Sequence, residues 1–309
     1  MKRVFEKTNG VPIGKSKMVQ VKRMKNVVEI VHINKKTSGL DQIKKISKTE
    51  YVLKETGEIF EYNLSQNKSE NLASLKKTFR RIRDLINNNF DGSQNELHVT
   101  LTYAENMIDT KRLYSDFKAF WKRFVRKYGA EFDYLSIVEP QARGAWHFHV
   151  LIKGKSPEKL FLPNHEIAAL WKQGFTSTKS THGVDNMGAY ITAYLADLEL
   201  NEENAQMMSF DGLKNAEIKT VEVEGKEKRF VKGARVHMYP SGMNIVRSSR
   251  GIVPPEVEQL SYKKAKKIVG DVSPNYSTTT TIYDGDHRQL NRITYEQYNL
   301  QRIKSNHKS

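Results

Sequence analysis

Two stretches of the chain repeat hydrophobic residues every three or four positions, a spacing that predicts helices with one buried face. The first helix begins after Ser65 and has its apolar positions at Leu72, Leu75, Phe79, Ile82 and Ile86. The second helix covers residues 110–128 and has its apolar positions at Leu113, Phe117, Phe120 and Phe124. Lysines and arginines occupy much of the remaining surface of both helices. Each helix is therefore expected to pack by one face and to present a basic face outward.

Shorter apolar segments predict strands and helices around the second basic helix. Residues 98–103, 132–138, 146–152 and 175–181 are expected as strands, and Pro140 with Gly144 marks a turn between the middle two. Helices are expected at residues 163–173, closed by Gly174, and at residues 185–198, capped by Asp185. The resulting order is β, α, β, β, α, β, α. This order favours an α+β fold with an antiparallel, ferredoxin-like or RRM-like sheet and helices on one face.

The flanking regions predict further strands. Residues 27–33 form one strand, and residues 51–62 form a hairpin that turns at residues 55–58. Beyond residue 203, strands are expected at residues 220–223 and 235–239, with a turn at residues 224–225 and a polar tail. The domain prediction is an N-terminal β-rich extension at 1–64, a catalytic domain at 65–202 and a C-terminal accessory region at 203–309.

The charge balance points to a polyanionic partner. The chain has 51 lysines and arginines against 35 aspartates and glutamates, which gives a net charge of +16. A surplus of this size favours nucleic acid binding through counterion release. No apolar run approaches the roughly 20 residues of a membrane span, and no secretory signal is expected. The absence of cysteine excludes disulfides and thiolate metal sites, and it fits a cytoplasmic protein.

One short strand carries the sharpest chemical feature of the sequence, His147-Phe148-His149. Alternation along a strand places both imidazoles on one face and Phe148 on the other. Glu139 ends the preceding strand of the same hairpin, opposite the histidine pair, so that its carboxylate completes three ligands. Two nitrogens and one carboxylate, with open positions for water or phosphate, suit Mg²⁺ or Mn²⁺. The sequence therefore predicts a divalent metal site.

A pair of tyrosines follows on a predicted helix. Tyr190 and Tyr194 are separated by one turn and share a face of that helix. Beside a metal that polarises a phosphodiester, a phenol becomes a candidate nucleophile. A phosphotyrosine intermediate conserves the energy of the broken bond, so the strand can be rejoined without ATP.

Together, these features resemble the HUH endonucleases, especially the rolling-circle replication initiators of plasmids and phages. Residues 99–103 are similar to the first motif of that family. The second motif is matched by Glu139, Gln141, Arg143, His147 and His149 and the third by Tyr190 and Tyr194. The resemblance covers residues 65–200, with a weaker similarity in residues 235–255. Relatives often carry a lysine three residues after a motif tyrosine, whereas this chain has Ala193 and Asp197.

The resemblance implies a metal-dependent enzyme that nicks and rejoins single-stranded origin DNA through a 5′-phosphotyrosine. By their positions in the motif, Tyr194 is assigned to initiation and Tyr190 to termination. The chain has no P-loop motif of a helicase, so unwinding is expected from a separate host helicase. DNA contacts are expected from the basic helix faces and the second motif. The residues chosen are Arg80, Arg81, Arg83, Lys122, Arg123, Arg126 and Arg143.

Three alternatives remain open at the level of sequence. A relaxase or a transposase of the same superfamily would share the same site. His98-Val99-Thr100 also fits one half of a two-histidine phosphoesterase, although the second half lacks its hydroxyl. Finally, a basic DNA-binding regulator with structural histidines would bind DNA without cutting it. Nicking that is sensitive to a chelator separates the regulator from the enzymes.

Overall fold

The computed structural model describes residues 4–35, 43–47, 50–53, 56–61, 72–141, 144–196, 198–199, 218–223, 226–231, 238–240 and 242–306. The chain divides into two compact units. One unit consists of residues 66–254, and the other combines residues 1–65 with residues 255–309. None of the helices in these described ranges is both long and apolar enough to cross a bilayer.

The strands of the described ranges are β1 (Val4–Asn9), β2 (Met18–Arg23), β3 (Val27–Ile33), β4 (Ile43–Lys45), β5 (Glu50–Leu53), β6 (Ile59–Glu61), β7 (Glu96–Thr102), β8 (Phe132–Pro140), β9 (Trp146–Gly154), β10 (Thr176–Ser180), β11 (Leu198–Glu199), β12 (Ile218–Val223), β13 (Lys226–Val231), β14 (Val246–Ser248), β15 (Val257–Ser261), β16 (Tyr276–Tyr283) and β17 (Gln289–Asn299). The helices are α1 (Leu72–Asn89), α2 (Thr110–Tyr128), α3 (Asn164–Trp171), α4 (Met187–Ala196), α5 (Tyr262–Val269) and α6 (Leu300–Asn306).

The larger unit is built on a five-stranded sheet in the order β10-β7-β9-β8-β14, with every neighbouring pair antiparallel. Along the chain its elements follow the predicted order β, α, β, β, α, β, α, from β7 to α4. The α+β class is therefore confirmed. The hairpin predicted at residues 51–62 is also present as β5 paired with β6.

Helix α2 shows how the apolar pattern becomes a core. It begins at Asp109, whose carboxylate accepts hydrogen bonds from the backbone N–H groups of Lys111 and Arg112. The predicted stripe of α2 is buried, and the ring of Phe117 lies 4.9 Å from the ring of Phe148 on β9. From α3, Trp171 contacts the same Phe148 at 6.0 Å. Helices α2 and α3 therefore cover the face of the sheet to which Phe148 points.

The structure differs from the expectation that helices lie on one face only. Tyr190 of α4 packs against His98 of β7, and this histidine belongs to the opposite face from Phe148. The reason lies in β9, where the consecutive residues Val150, Leu151 and Ile152 are all at most 1% exposed. Because neighbouring side chains of a strand point to opposite faces, both faces of this sheet are apolar and both must be covered.

Two helix ends also differ from their predicted positions. The N-terminus of α4 is capped by Asn186 rather than Asp185, since its Oδ1 accepts a hydrogen bond from the N–H of Ala189. Helix α3 ends at Trp171, and Lys172 adopts the left-handed conformation that was expected to need Gly174. The predicted strand at residues 235–239 and the turn at residues 224–225 fall partly or wholly outside the described residues.

The smaller unit joins the two ends of the chain in one sheet, in the order β1-β16-β17-β3-β2-β15. Strand β17 pairs with β3, for example Ile293 with Ile33. Val21, Ile30 and Tyr298 are among the residues of its core. The sequence placed residues 1–64 and 203–309 in separate regions, because pairing between distant strands leaves no local signal. Within residues 203–309, β14 instead joins β8 in the larger sheet.

Gly188 lets α4 approach α1 closely enough to cover the sheet. A Cβ atom at this position would lie 2.6 Å from Asn87 Oδ1 and 2.7 Å from Arg83 Cγ. The same Asn87 Oδ1 accepts a hydrogen bond from the N–H of Gly188 at 2.7 Å. The absence of a side chain therefore sets the distance between the two helices.

We predict that Gly188→Ala lowers the free energy of unfolding by about 1–3 kcal/mol, the usual cost of overpacking. An exposed glycine in a helix would show the opposite sign, a gain of about 0.5–1 kcal/mol, because alanine favours the helix. Urea unfolding of both proteins measures the difference. A more stable Gly188→Ala variant would show that the two helices are not in close contact.

Candidate metal centre

The β8–β9 hairpin places three potential metal ligands on one face. Glu139 pairs directly with His147, and Ile137 pairs with His149. Residues opposite each other in an antiparallel pair point to the same side, so Glu139 faces the same way as both histidines. Phe148 between the histidines points the other way and is buried at 1% exposure. The face assignment expected from the sequence is present in the structure.

The ligand atoms of these three residues converge on one point. Glu139 Oε2 lies 3.1 Å from His147 Nε2 and 2.5 Å from His149 Nε2, and the two Nε2 atoms are 3.1 Å apart. Two adjacent ligands that each lie about 2.1 Å from one octahedral Mg²⁺ ion are roughly 3 Å apart. Glu139, His147 and His149 thus form a group that could hold a metal ion. Their donor set, two imidazoles and one carboxylate, fits that role.

Burial keeps both histidines neutral. Desolvation lowers the pKa of His147 well below its usual value, with a further contribution from His149. Burial alone lowers the pKa of His149 to about 4. At neutral pH each ring therefore keeps a lone pair, which is the form that binds metals. Glu139 is only 2% exposed and supplies the carboxylate between them.

A third histidine, which the metal-site prediction did not include, lies behind His149. His98 of β7 places its Nε2 atom 2.9 Å from His149 Nδ1, and its side chain is buried. Burial, and then the charges of His149 and Lys179, lower the pKa of His98 to about 3. A signal was available in the sequence, since His98, Thr100 and Thr102 alternate along one strand. The polar face of β7 adjoins the histidines of β9.

The tyrosine helix lies over the same face of the sheet. The ring of Tyr190 meets the ring of His98 edge-on, with 6.1 Å between their centroids. Tyr190 is half-buried and packs against the core. Tyr194 follows one turn later in α4, and its side chain lies outside the described part of the structure. The structure therefore brings Tyr190 to a contact of the metal-ligand group.

The basic residues chosen as DNA contacts lie in different settings. Arg80 and Arg81 on α1 are exposed, as are Lys122 and Arg126 on α2. Arg123 is half-buried and donates hydrogen bonds to the carbonyls of Leu170 and Trp171 at the end of α3. Arg83 is half-buried, and its Cγ lies beside Gly188. Arg143 lies outside the described residues.

The two basic helices lie on opposite sides of the sheet. Helix α2 packs on the Phe148 face, away from the histidines. Helix α1 packs against α4, and Lys153 of β9 donates to the carbonyl of Asn89 at the end of α1. Lys153 alternates with His149 along the same face of β9. The exposed arginines of α1 are therefore carried by the helix pair on the metal side, whereas those of α2 are not.

The fold and the site define an α+β protein with a candidate metal centre on an antiparallel sheet and tyrosines on an adjacent helix. Residues 96–199 match the family model described as replication-associated protein ORF2. The match covers about a third of the 309 residues and contains the three ligands and both tyrosines. No curated protein matches the chain. The family match supports a role in replication initiation, and it implies interaction with DNA.

We predict that Glu139→Gln weakens the affinity for Mn²⁺ by at least the roughly 10- to 100-fold that loss of even an outer-shell partner costs. Glutamine keeps the shape of the side chain but removes the negative charge that neutralises the cation. Titration of the full chain with Mn²⁺, followed by the electron paramagnetic resonance signal of the free ion, gives the dissociation constant. Glu158→Gln is the matched control, because Glu158 is exposed. Equal affinities for the two variants would exclude Glu139 as a ligand.

Proposed function

We propose that this protein is a rolling-circle replication initiator of the HUH endonuclease kind, which nicks and rejoins single-stranded origin DNA through a 5′-phosphotyrosine. The observation that carries this proposal is the convergence of Glu139, His147 and His149 beneath a helix that carries Tyr190 and Tyr194. The match of this region to a replication-associated family supports the same function.

The sheet order supports a ferredoxin-like palm as the catalytic scaffold. Counting from β7, the first four strands of the sheet are β7, β8, β9 and β10, with α2 after the first and α3 after the third. This is the β-α-β-β-α-β arrangement of ferredoxin-like folds. The first and third strands, β7 and β9, are the central neighbours. In this scaffold the metal ligands and His98 come from the interior of the sheet, where strand positions are held on both sides.

The proposed chemistry needs a cation and a phenol at one phosphodiester. Glu139, His147 and His149 would hold Mg²⁺ or Mn²⁺, which supplies charge stabilisation to the phosphoryl oxygens. The tyrosine oxygen forms a bond to phosphorus as the bond from phosphorus to the 3′ oxygen breaks. The phenol loses its proton, and the leaving 3′ oxygen gains one to become a free hydroxyl. The 5′ end stays on the protein as a phosphotyrosine, and reversal of the step rejoins the strand.

We assign the first cleavage to Tyr194 and the termination step to Tyr190. Tyr190 is in contact with His98, and Tyr194 lies one turn along the same helix. A second tyrosine lets the protein attack the regenerated junction while the first still holds the 5′ end. The new 3′ hydroxyl then attacks the first phosphotyrosine and closes the displaced circle. A separate host helicase is proposed to unwind the duplex.

The other enzyme classes differ in how well they fit the site. A two-histidine phosphoesterase would hold its phosphate between His98 and His149, but these rings are hydrogen-bonded to each other at 2.9 Å. No phosphate fits within that distance. A relaxase or a transposase would use the same constellation as a replication initiator, and the family match favours replication. A non-catalytic DNA-binding regulator would have no use for three converging ligands.

We predict that His147→Ala abolishes nicking of labelled single-stranded DNA from the protein's own replicon, because a site with two ligands cannot retain the cation. EDTA should abolish nicking by the wild-type protein, and added Mg²⁺ or Mn²⁺ should restore it. Denaturing electrophoresis of the DNA measures the cut strand. Circular dichroism of the variant checks that the fold is intact. Full activity in EDTA would rule out the metal mechanism, and a regulator would give no nicking under any condition.

We predict that Tyr194→Phe loses the initial covalent adduct with DNA, since phenylalanine keeps the ring and removes the nucleophilic oxygen. Tyr190→Phe should still nick but should release fewer closed single-stranded circles. Tyr276→Phe is the control, because Tyr276 is exposed on the smaller unit. Mass spectrometry of the adduct peptide identifies the modified residue. A nucleotide on Tyr190 alone would reverse the assignment, and a nucleotide on neither residue would exclude the tyrosine mechanism.

A further inference from the structure

We propose that His98 is a positioning residue of the metal centre, which accepts a hydrogen bond from His149 Nδ1–H and so directs the His149 Nε2 lone pair at the cation. The two ring nitrogens are 2.9 Å apart. Strand pairing keeps them together, because Thr100, two residues after His98, pairs with His149. This inference rests on the proposed metal centre and adds to it a residue that acts through a ligand.

The tautomer of His149 determines whether it can bind a metal. A neutral imidazole carries one proton and one lone pair. Ligation through Nε2 therefore requires the proton to be on Nδ1, and a histidine ligand normally donates that N–H to a partner. His98 Nε2 is at hydrogen-bond distance from His149 Nδ1. To accept that proton, His98 must itself carry its hydrogen on Nδ1.

The environment of His98 argues against a role in packing alone. His98 is 8% exposed, and its Nδ1 atom is buried without a hydrogen-bond partner in the described part of the chain. A buried polar atom without a partner costs free energy that a leucine or phenylalanine at this position would avoid. The hydrogen bond to His149 is therefore what an imidazole provides here and an apolar side chain cannot.

Tyr190 holds the other side of the His98 ring. Its edge-on contact places His98 between a metal ligand and the helix of the proposed nucleophiles. The contact restricts rotation of the His98 ring, so that Nε2 stays directed at His149. One residue thus links the orientation of a ligand to the position of α4.

Two substitutions separate the hydrogen bond from the ring contact. His98→Phe keeps an aromatic ring against Tyr190 but removes the acceptor, whereas His98→Gln keeps an acceptor oxygen and removes the ring. We expect His98→Phe to weaken Mn²⁺ affinity by roughly 10- to 100-fold and His98→Gln to stay closer to wild type. His165→Phe is the matched control, because His165 is exposed on α3, on the other face of the sheet. Thermal unfolding in EDTA shows whether each variant is folded.

The outcomes distinguish this proposal from the metal centre itself. A wild-type protein that fails to bind Mn²⁺ would overturn the metal centre, and this proposal with it. Wild-type binding with unchanged affinity in His98→Phe, or with equal weakening in both variants, would overturn the positioning role alone. Should the variants fail to fold, nitrogen-15 spectra of the histidines in the Mg²⁺-bound wild type decide. The proposal requires His98 and His149 both to carry their protons on Nδ1, and an Nε2–H tautomer at His98 would refute it.

Discussion

The register of the β8–β9 hairpin is the constraint on which the rest of the site depends. Glu139 opposite His147 is what brings a carboxylate to two imidazoles. A slip of one residue in β9 would turn both histidines into the core layer and send Phe148 to the metal side. The packing of Phe148 against Phe117 and Trp171 opposes such a slip, because it would expose a buried ring and bury two imidazoles among aromatic side chains.

Residues beyond the family match help to hold the strand that carries Glu139. The backbone N–H of Val138 donates to the carbonyl of Ile245, and the hydroxyl of the buried Tyr239 donates to the carbonyl of Val138. Strand β14 then pairs with β8 from Val246 onward. The segment around residues 239–248 therefore fixes the backbone next to a metal ligand. The catalytic sheet is completed by residues far along the chain from its first four strands.

A polar cluster in a covered sheet face is costly unless its members bond to one another. Glu139, His147, His149 and His98 lie in a single connected set of close polar contacts beneath α4. Such an arrangement reduces the access of water and holds each ring in place before substrate arrives. Both properties suit charge stabilisation at a phosphodiester, where fixed groups need no rearrangement during the reaction. They also explain why the tyrosine helix covers the metal side of the sheet.

Local periodicity determined much of this protein. It gave the bounds of α2 at residues 110–128, the face shared by His147 and His149, and the one-turn spacing of Tyr190 and Tyr194, because each depends only on the geometry of a single element. Tertiary structure alone decided the pairing of β3 with β17, the helices on both faces and the contact of His98 with His149. A repeat of apolar residues shows that a face is buried, but it carries no information about which distant segment will cover it.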